Sequence, residues 1–273
     1  MLLIDVGNSH VVFGIQGENG GRVCVRELFR LAPDARKTQD EYSLLIHALC
    51  ERAGVGRASL RDAFISSVVP VLTKTVADAV AQISGVQPVV FGPWAYEHLP
   101  VRIPEPVRAE IGTDLVANAV AAYVHFRSAC VVVDCGTALT FTAVDGTGLI
   151  QGVAIAPGLR TAVQSLHTGT AQLPLVPLAL PDSVLGKDTT HAVQAGVVRG
   201  TLFVIRAMIA QCQKELGCRC AAVITGGLSR LFSSEVDFPP IDAQLTLSGL
   251  AHIARLVPTS LLPPATVSGS SGN

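Results

Sequence analysis

The chain opens on alternating and continuous apolar runs and then changes to helical spacing. Residues 1–6 are apolar except for Asp5, and residues 11–16 form a second β-rich run. Gly17, Gly20 and Gly21 predict a turn before a third strand over residues 22–31, a β-meander. Beyond Thr38, the positions Tyr42, Leu45, Ile46 and Leu49 recur at helical spacing, and Thr38 with Glu41 three residues on matches a capping box. A buried strand over 63–69 stops at Pro70, a helix follows over 72–83, and residues 89–91 read as another strand. Residues 93–111 are Pro-rich and irregular, which predicts a domain junction. A helix over 113–126 then carries Ala117, Val120, Ala121 and Val124 on one face. Next come a buried strand (129–134), its hairpin partner (136–144) and a third strand (149–156) closed by Pro157 and Gly158. The pattern continues with a helix (159–167), a Pro- and Thr-rich loop (168–188) and a long helix (190–215) with a break at Gly200. A strand over 221–225 ends at Gly226 and Gly227. The expected domains are 1–111 and 112–260, with a fraying Pro/Ser/Gly-rich tail at 261–273.

One segment repeats. Leu3-Ile4-Asp5-Val6-Gly7-Asn8-Ser9 matches Val132-Val133-Asp134-Cys135-Gly136-Thr137-Ala138: a hydrophobic strand, then D-x-G, a polar residue, a small one and a return strand. Each carboxylate leaves a buried strand at its end, and each Gly permits a tight turn or a close backbone approach. A single D-x-G is an ordinary turn. Two at matching strand ends offer backbone N–H nests with two acids, which suits a polyphosphate and its metal ion. Thr225-Gly226-Gly227 adds a hydroxyl and two positions without side chains, against which a flat base can lie. The pattern resembles the actin, Hsp70 and sugar-kinase superfamily. It implies an α/β fold of two RNase H-like modules facing a central cleft. A third acid, Asp114, opens the helix after the junction. There it either answers the helix dipole or serves as a base near an acceptor hydroxyl.

Composition narrows the picture. Charged residues are 15 % of the 273, against about 25 % in an average globular protein, which suggests apolar surface buried between subunits. A net charge of −1 leaves no surplus for broad contact with nucleic acid or anionic lipid. Mean hydropathy is +0.47, but Pro174, Pro177 and Pro181 interrupt the uncharged stretch that begins at Thr161. The N-terminal residues lack the basic start of a signal peptide. A soluble cytoplasmic protein is expected, with no membrane and no nucleic-acid partner. Seven cysteines form no secreted framework, and Cys212, Cys218 and Cys220 lack the second pair a zinc site needs, so they read as plain thiols. His47, His125 and His252 read as partly buried polar groups on helices. Lys187 has no Walker pattern before it and reads as loop surface or acceptor-site periphery.

Taken in order, the motifs resemble the type III pantothenate kinases, the Bvg accessory factor family. They are D-V-G-N-S-H at 5–10, T-x-D-E-Y at 38–42, S-S-V-V-P at 66–70 and G-x-D at 112–114 with Asn118. D-C-G-T-A-L-T at 134–140, A-I-A-P-G at 154–158, G-K-D-T at 186–189 and T-G-G at 225–227 complete the set. The resemblance implies phosphorylation of pantothenate by Mg-ATP to 4'-phosphopantothenate, the first step of coenzyme A synthesis. It implies that Asp5, Val6, Gly7, Asn8, Ser9, His10, Val11 and Val12 form the first phosphate loop, with Thr137 as the second phosphate contact and Gly226 and Gly227 at the nucleotide. It makes Asp114 the proton acceptor and Asp134 the ligand of a monovalent cation, potassium or ammonium. Gly112, Thr113, Asp114, Leu115 and Thr189 take the positions that contact pantothenate, in a homodimer whose substrate pocket lies near the subunit interface.

Three departures stand out. Leu115 replaces the family's Arg, Ser9 and His10 replace Thr and Asn, and no aromatic residue occurs in 103–111. Either another cation such as Arg102 or Arg108 holds the substrate, or the chain is an impaired member acting as an accessory or regulatory protein. Retention of Asp5, Asp114 and Asp134 favours the enzyme. A sugar kinase is disfavoured by the short length and the G-K-D-T segment.

Overall fold

The structure, a computed structural model, describes residues 1–19, 22–56, 60, 62–235 and 237–257. By its internal contacts the chain divides into two units. The first contains Met1–Leu99, Arg108–Ala117 and the described part of Thr246–Asn273; the second contains Pro100–Val107 and Asn118–Leu245.

In the first unit, β1 (Leu2–Val6) pairs antiparallel with β2 (Val11–Asn19), and β2 with β3 (Arg22–Leu31). After α1 (Gln39–Arg52) the chain returns as β4 (Ala63–Ser67), parallel to β1. After α2 (Pro70–Ser84) it adds β5 (Val89–Val90), giving the order β3-β2-β1-β4-β5. β1 is central, and Leu2, Leu3, Ile4 and Val6 are all fully buried, as a strand covered on both faces requires. Thr38 caps α1 by the reciprocal bonds its sequence predicts: its side chain accepts from Glu41 N–H, and its own N–H donates to the Glu41 carboxylate at 2.7 Å. The buried stripe of α1 is Tyr42, Ile46 and Cys50, whereas Leu45 is 37 % exposed. Tyr42 and Ile46 of the expected stripe are thus in the core and Leu49 packs partly buried against it, while Leu45 turns outward because the core lies toward the 42–46–50 ridge. Gly17 lies inside β2, so the strand outruns the turn expected there. Gly20, Gly21 and the tail at 261–273 lie outside the described residues.

The second unit repeats the plan. After α3 (Thr113–Phe126) come β6 (Cys130–Cys135), β7 (Ala138–Val144) and β8 (Ile150–Pro157), each antiparallel to the last. Then follow α4 (Leu159–Gly169), α5 (Thr189–Gln194), a π-helical segment (Ala195–Arg199), α6 (Gly200–Glu215) and β9 (Ala221–Thr225), parallel to β6. The order β8-β7-β6-β9 matches β3-β2-β1-β4, so the sequence repeat is a repeat of RNase H-like topology. The register carries the match to single residues: Asp5 stands beside Ser66, and Asp134 beside Thr225. The helical irregularity precedes Gly200, lying over 195–199, where Arg199 donates to the Pro181 carbonyl at 2.6 Å. By length and composition Thr189–Glu215 could cross a membrane, but Val198, Leu202, Ile205 and Ile209 of this run are part of the second core. The chain ends its described course in α7 (Leu245–Leu256), a helix the sequence reading did not include. His47 and His125 are exposed rather than partly buried, because both fall on outer helix faces; His252 is partly buried.

Candidate active site

Each module presents an acid at the end of its first strand, followed by a tight turn. In the first unit, Gly7 N–H donates to the His10 carbonyl at 3.0 Å, closing the hairpin. Val6 and Val11 anchor this turn in the core, which leaves Asn8, Ser9 and His10 exposed at its tip.

In the second unit, the equivalent turn is braced on several sides. The Asp134 carboxylate accepts from the Asn118 side-chain amide at 3.1 Å. Gly226 has φ +90° and packs so closely that a Cβ would collide with Asp134 Oδ1 and stand 2.6 Å from the Cys135 backbone. A Cβ on Gly136 would lie 3.3 Å from the same carboxylate oxygen. The Thr137 carbonyl accepts from Gly158 N–H at 3.1 Å and from the Thr161 hydroxyl at 2.8 Å, while Thr137 itself is exposed. The T-G-G turn and the start of α4 thus hold the second D-x-G turn from two sides. Beside them lies an open cleft of about 820 Å³, walled by Arg160, Thr161 and Gln164 of α4, by Leu175, Pro177 and Leu178, and by Leu228 and Leu231 after the glycines.

The third acid belongs to the first unit. The Thr113 hydroxyl stands 2.9 Å from the buried Ser66 hydroxyl and donates to the Ser67 carbonyl at 3.2 Å, tying the start of α3 to the end of β4. Asp114 follows, folded back so that Leu115 N–H donates to its carboxylate at 2.8 Å. Gly112 lies against this carboxylate, leaving no room for a Cβ. Burial raises the Asp114 pKa above the ordinary carboxylate value, and it outweighs the backbone N–H bonds from Leu115 and from Asp114 itself, which lower it.

The structure therefore brings Asp134, Gly136, Thr137 and Gly226 together, and joins Gly112, Thr113 and Asp114 to β4. Thr189 stands on a separate element, exposed in the first turn of α5, whose N-cap Asp188 accepts from His191 N–H at 2.8 Å. Among the described residues, no three His, Cys, Asp or Glu side chains gather to hold a metal ion. The sequence reading assigned no role to Asn118, Ser66 or Thr161. Asn118 was the most detectable of them: a fully buried amide inside the apolar run of α3 must find a partner.

The family model described as type III pantothenate kinase matches residues 1–211. The chain belongs to the type III pantothenate kinase family. A type III pantothenate kinase of Moorella thermoacetica is 36 % identical over 251 residues, covering 92 % of this chain and 96 % of the relative. One of Brevibacillus brevis is 35 % identical over 255 residues, covering 93 % and 97 %. Among solved structures, a Campylobacter jejuni protein described as a Baf family transcriptional activator shares the fold. Its TM-score is 0.58 at 19 % identity, over 93 % of this chain and 98 % of that one. The family thus accounts for nearly the whole length, including the segment that carries Leu115.

Proposed function

We infer that this chain phosphorylates pantothenate with ATP, the first step toward coenzyme A, as a member of the type III pantothenate kinase family. The observation that carries the site is the doubled strand end: Asp5 and Asp134 are each the penultimate residue of their module's first strand, and each strand is followed by a glycine turn. Residues 5–12 form one phosphate-binding turn, and Thr137 presents its hydroxyl from the other. The nucleotide's base lies by Gly226 and Gly227 and against the apolar wall of the adjoining cleft. ATP arrives as its magnesium complex.

Asp114 takes the proton of the acceptor hydroxyl. Its raised pKa makes it a stronger base than a solvated carboxylate, while its two backbone N–H bonds keep it aimed. Gly112, Thr113, Leu115 and Thr189 border pantothenate.

Asp134 is the residue that would hold potassium or ammonium. One carboxylate flanked by two positions without side chains suits a singly charged ion that takes oxygen ligands, whereas a divalent cage collects several carboxylates. When bound, the ion supplies positive charge to offset the phosphates. The enzyme works in the cytoplasm as a homodimer, a reading supported by the low charge content and by exposed Ile155, Phe203 and Val204. A coupled assay with ATP, pantothenate and potassium tests the function directly: ADP release that depends on pantothenate supports it, and its absence overturns it.

A further inference from the structure

The open cleft beside α4 is walled by two segments that are both tied to one turn. On one side the Thr161 hydroxyl donates to the Thr137 carbonyl at 2.8 Å, and on the other Leu228 N–H donates to the Cys135 carbonyl at 3.3 Å. The cleft of about 820 Å³ therefore opens off the second D-x-G turn. A nucleotide whose phosphates meet Thr137 has room there for its ribose and base.

The walls are mostly apolar, so a few polar side chains decide what the cleft can recognise. Three hydroxyls are already spent on backbone: Thr161 on Thr137, Ser165 on the Ala162 carbonyl at 2.8 Å and Thr168 on the Gln164 carbonyl at 2.9 Å. Arg160 and Gln164 remain. Both are exposed, and among the described residues neither side chain has a hydrogen bond or ion pair. Arg160 is also the one charged side chain among the described residues lining the cleft, so the cleft is positive with no acid to neutralise it. Four residues apart on α4, the two side chains share one helix face and stand about 6 Å apart along the axis. Arg160, next to the anchored Thr161, is nearer the turn, and Gln164 is one helical turn farther from it. A cation first and an amide second is the order in which a nucleotide presents its phosphates and its base.

We propose that the cleft holds ATP through these two side chains: Arg160 answers the phosphates, and Gln164 bonds the amino edge of adenine. The proposal rests on the kinase reading and names the residues that set its nucleotide preference. A guanidinium presents a fork of N–H donors that suits phosphate oxygens. A glutamine amide offers an acceptor beside a donor, complementary to the adenine 6-amino group and the ring nitrogen next to it. The apolar walls give the base area without telling one base from another, so selection falls to the amide.

The test compares ATP with purine riboside 5'-triphosphate, which lacks only the 6-amino group. Arg160→Gln and Gln164→Met are at exposed helix positions and keep helix-forming side chains, so the fold is retained. In the full-length enzyme the wild type should have the lower KM for ATP. Gln164→Met should raise the KM for ATP roughly five- to a hundredfold, change that for the purine analogue much less, and so narrow the preference. Arg160→Gln should raise both values together, roughly tenfold or more, because the two nucleotides share their phosphates. The KM for pantothenate should stay within a fewfold of wild type in both variants. Equal losses for the two nucleotides in Gln164→Met would make the side chain part of the cleft's shape rather than a reader of the base, and would overturn the proposal. Unchanged ATP kinetics in either variant overturns it too, while normal wild-type turnover leaves the kinase reading standing. A wild-type protein that does not phosphorylate pantothenate removes that reading, and titrating ATP into the same proteins then tests the cleft separately: binding that neither substitution weakens overturns the proposal.

Discussion

Asp114 owes its chemistry to where the backbone holds it. Desolvation favours its neutral form, and the backbone N–H groups that aim it only partly compensate. Asp114→Asn keeps the shape and an oxygen to accept from Leu115 N–H, but it cannot take a proton. Turnover should drop about 10²–10⁴-fold with ATP binding retained, as steady-state kinetics and nucleotide titration would report. The raised pKa also fixes the sign of a stability effect. A carboxyl whose folded pKa exceeds its unfolded one binds protons more readily when folded, so its ionisation opposes folding as pH rises through that range. Asp114→Asn should therefore raise the thermal midpoint at pH 7, and the gain should vanish near pH 3, where both proteins carry a neutral side chain. An unchanged midpoint at pH 7 would mean that the carboxylate is well solvated. At this scale the three acids were legible because each follows or precedes a glycine at an element boundary. The partners were not: Asn118 in an apolar helix announces a buried hydrogen bond, but nothing local says that Asp134 receives it.

Elements formed largely where periodicity placed them, and the exceptions have physical causes. α7 falls in a stretch for which no element was expected, and it carries Ser248 and Gly249, residue types that favour turns over helix interiors. In the fold, Gly249 sits mid-helix where a Cβ would collide with the backbone of Ala117, so the glycine permits the close approach of α7 to α3 within the first unit. Gly249→Ala should destabilise by roughly 1–3 kcal/mol or more, read as a lower urea midpoint, because the neighbouring atom is backbone and cannot turn aside. The turn joining β7 to β8 offers a second case. Asp145 accepts from Thr147 N–H and hydroxyl, both at 2.7 Å, from Leu149 N–H at 3.0 Å and from the Gln151 amide at 2.7 Å. Desolvation is the largest single influence and raises its pKa, but these bonds together bring it down to about 2. A carboxylate with a depressed folded pKa stabilises the fold above the ordinary carboxylate range and loses that effect as pH falls toward 2. Asp145→Ala should thus narrow the stability difference between pH 6 and pH 3. An identical pH dependence in the two proteins would show that the hydroxyl and backbone donors are equally satisfied by water.

The duplicated module is the feature of the whole molecule that the sequence displayed most plainly, because Asp, Gly and strand alternation recur in the same order at residues 3–9 and 132–138. The assignment of residues 100–107 to the second unit and of residues 246–257 to the first left no such trace. Those memberships rest on contacts between residues far apart in the chain. Duplication also sharpens a functional question, since the two copies are not chemically equal. Asp5 has Ser66 beside it in the register and a turn of exposed polar residues after it. Asp134 has Thr225 beside it and is hemmed by Gly136 and Gly226, whose backbones pack against its carboxylate, Gly226 too closely for any side chain. The proposed monovalent cation is the one assigned to Asp134 above. On that proposal, activity should require potassium or ammonium and fail with sodium as the sole monovalent cation. Asp134→Ala should abolish turnover at every cation, and Gly226→Ala should do so by forcing its Cβ into the same carboxylate. Asp134→Asn keeps the size and loses the charge, so it should shift the potassium requirement to higher concentration rather than merely unfold the turn. Equal rates in sodium and potassium for the wild type, or an unaltered potassium titration in Asp134→Asn, would move the cation away from this strand end.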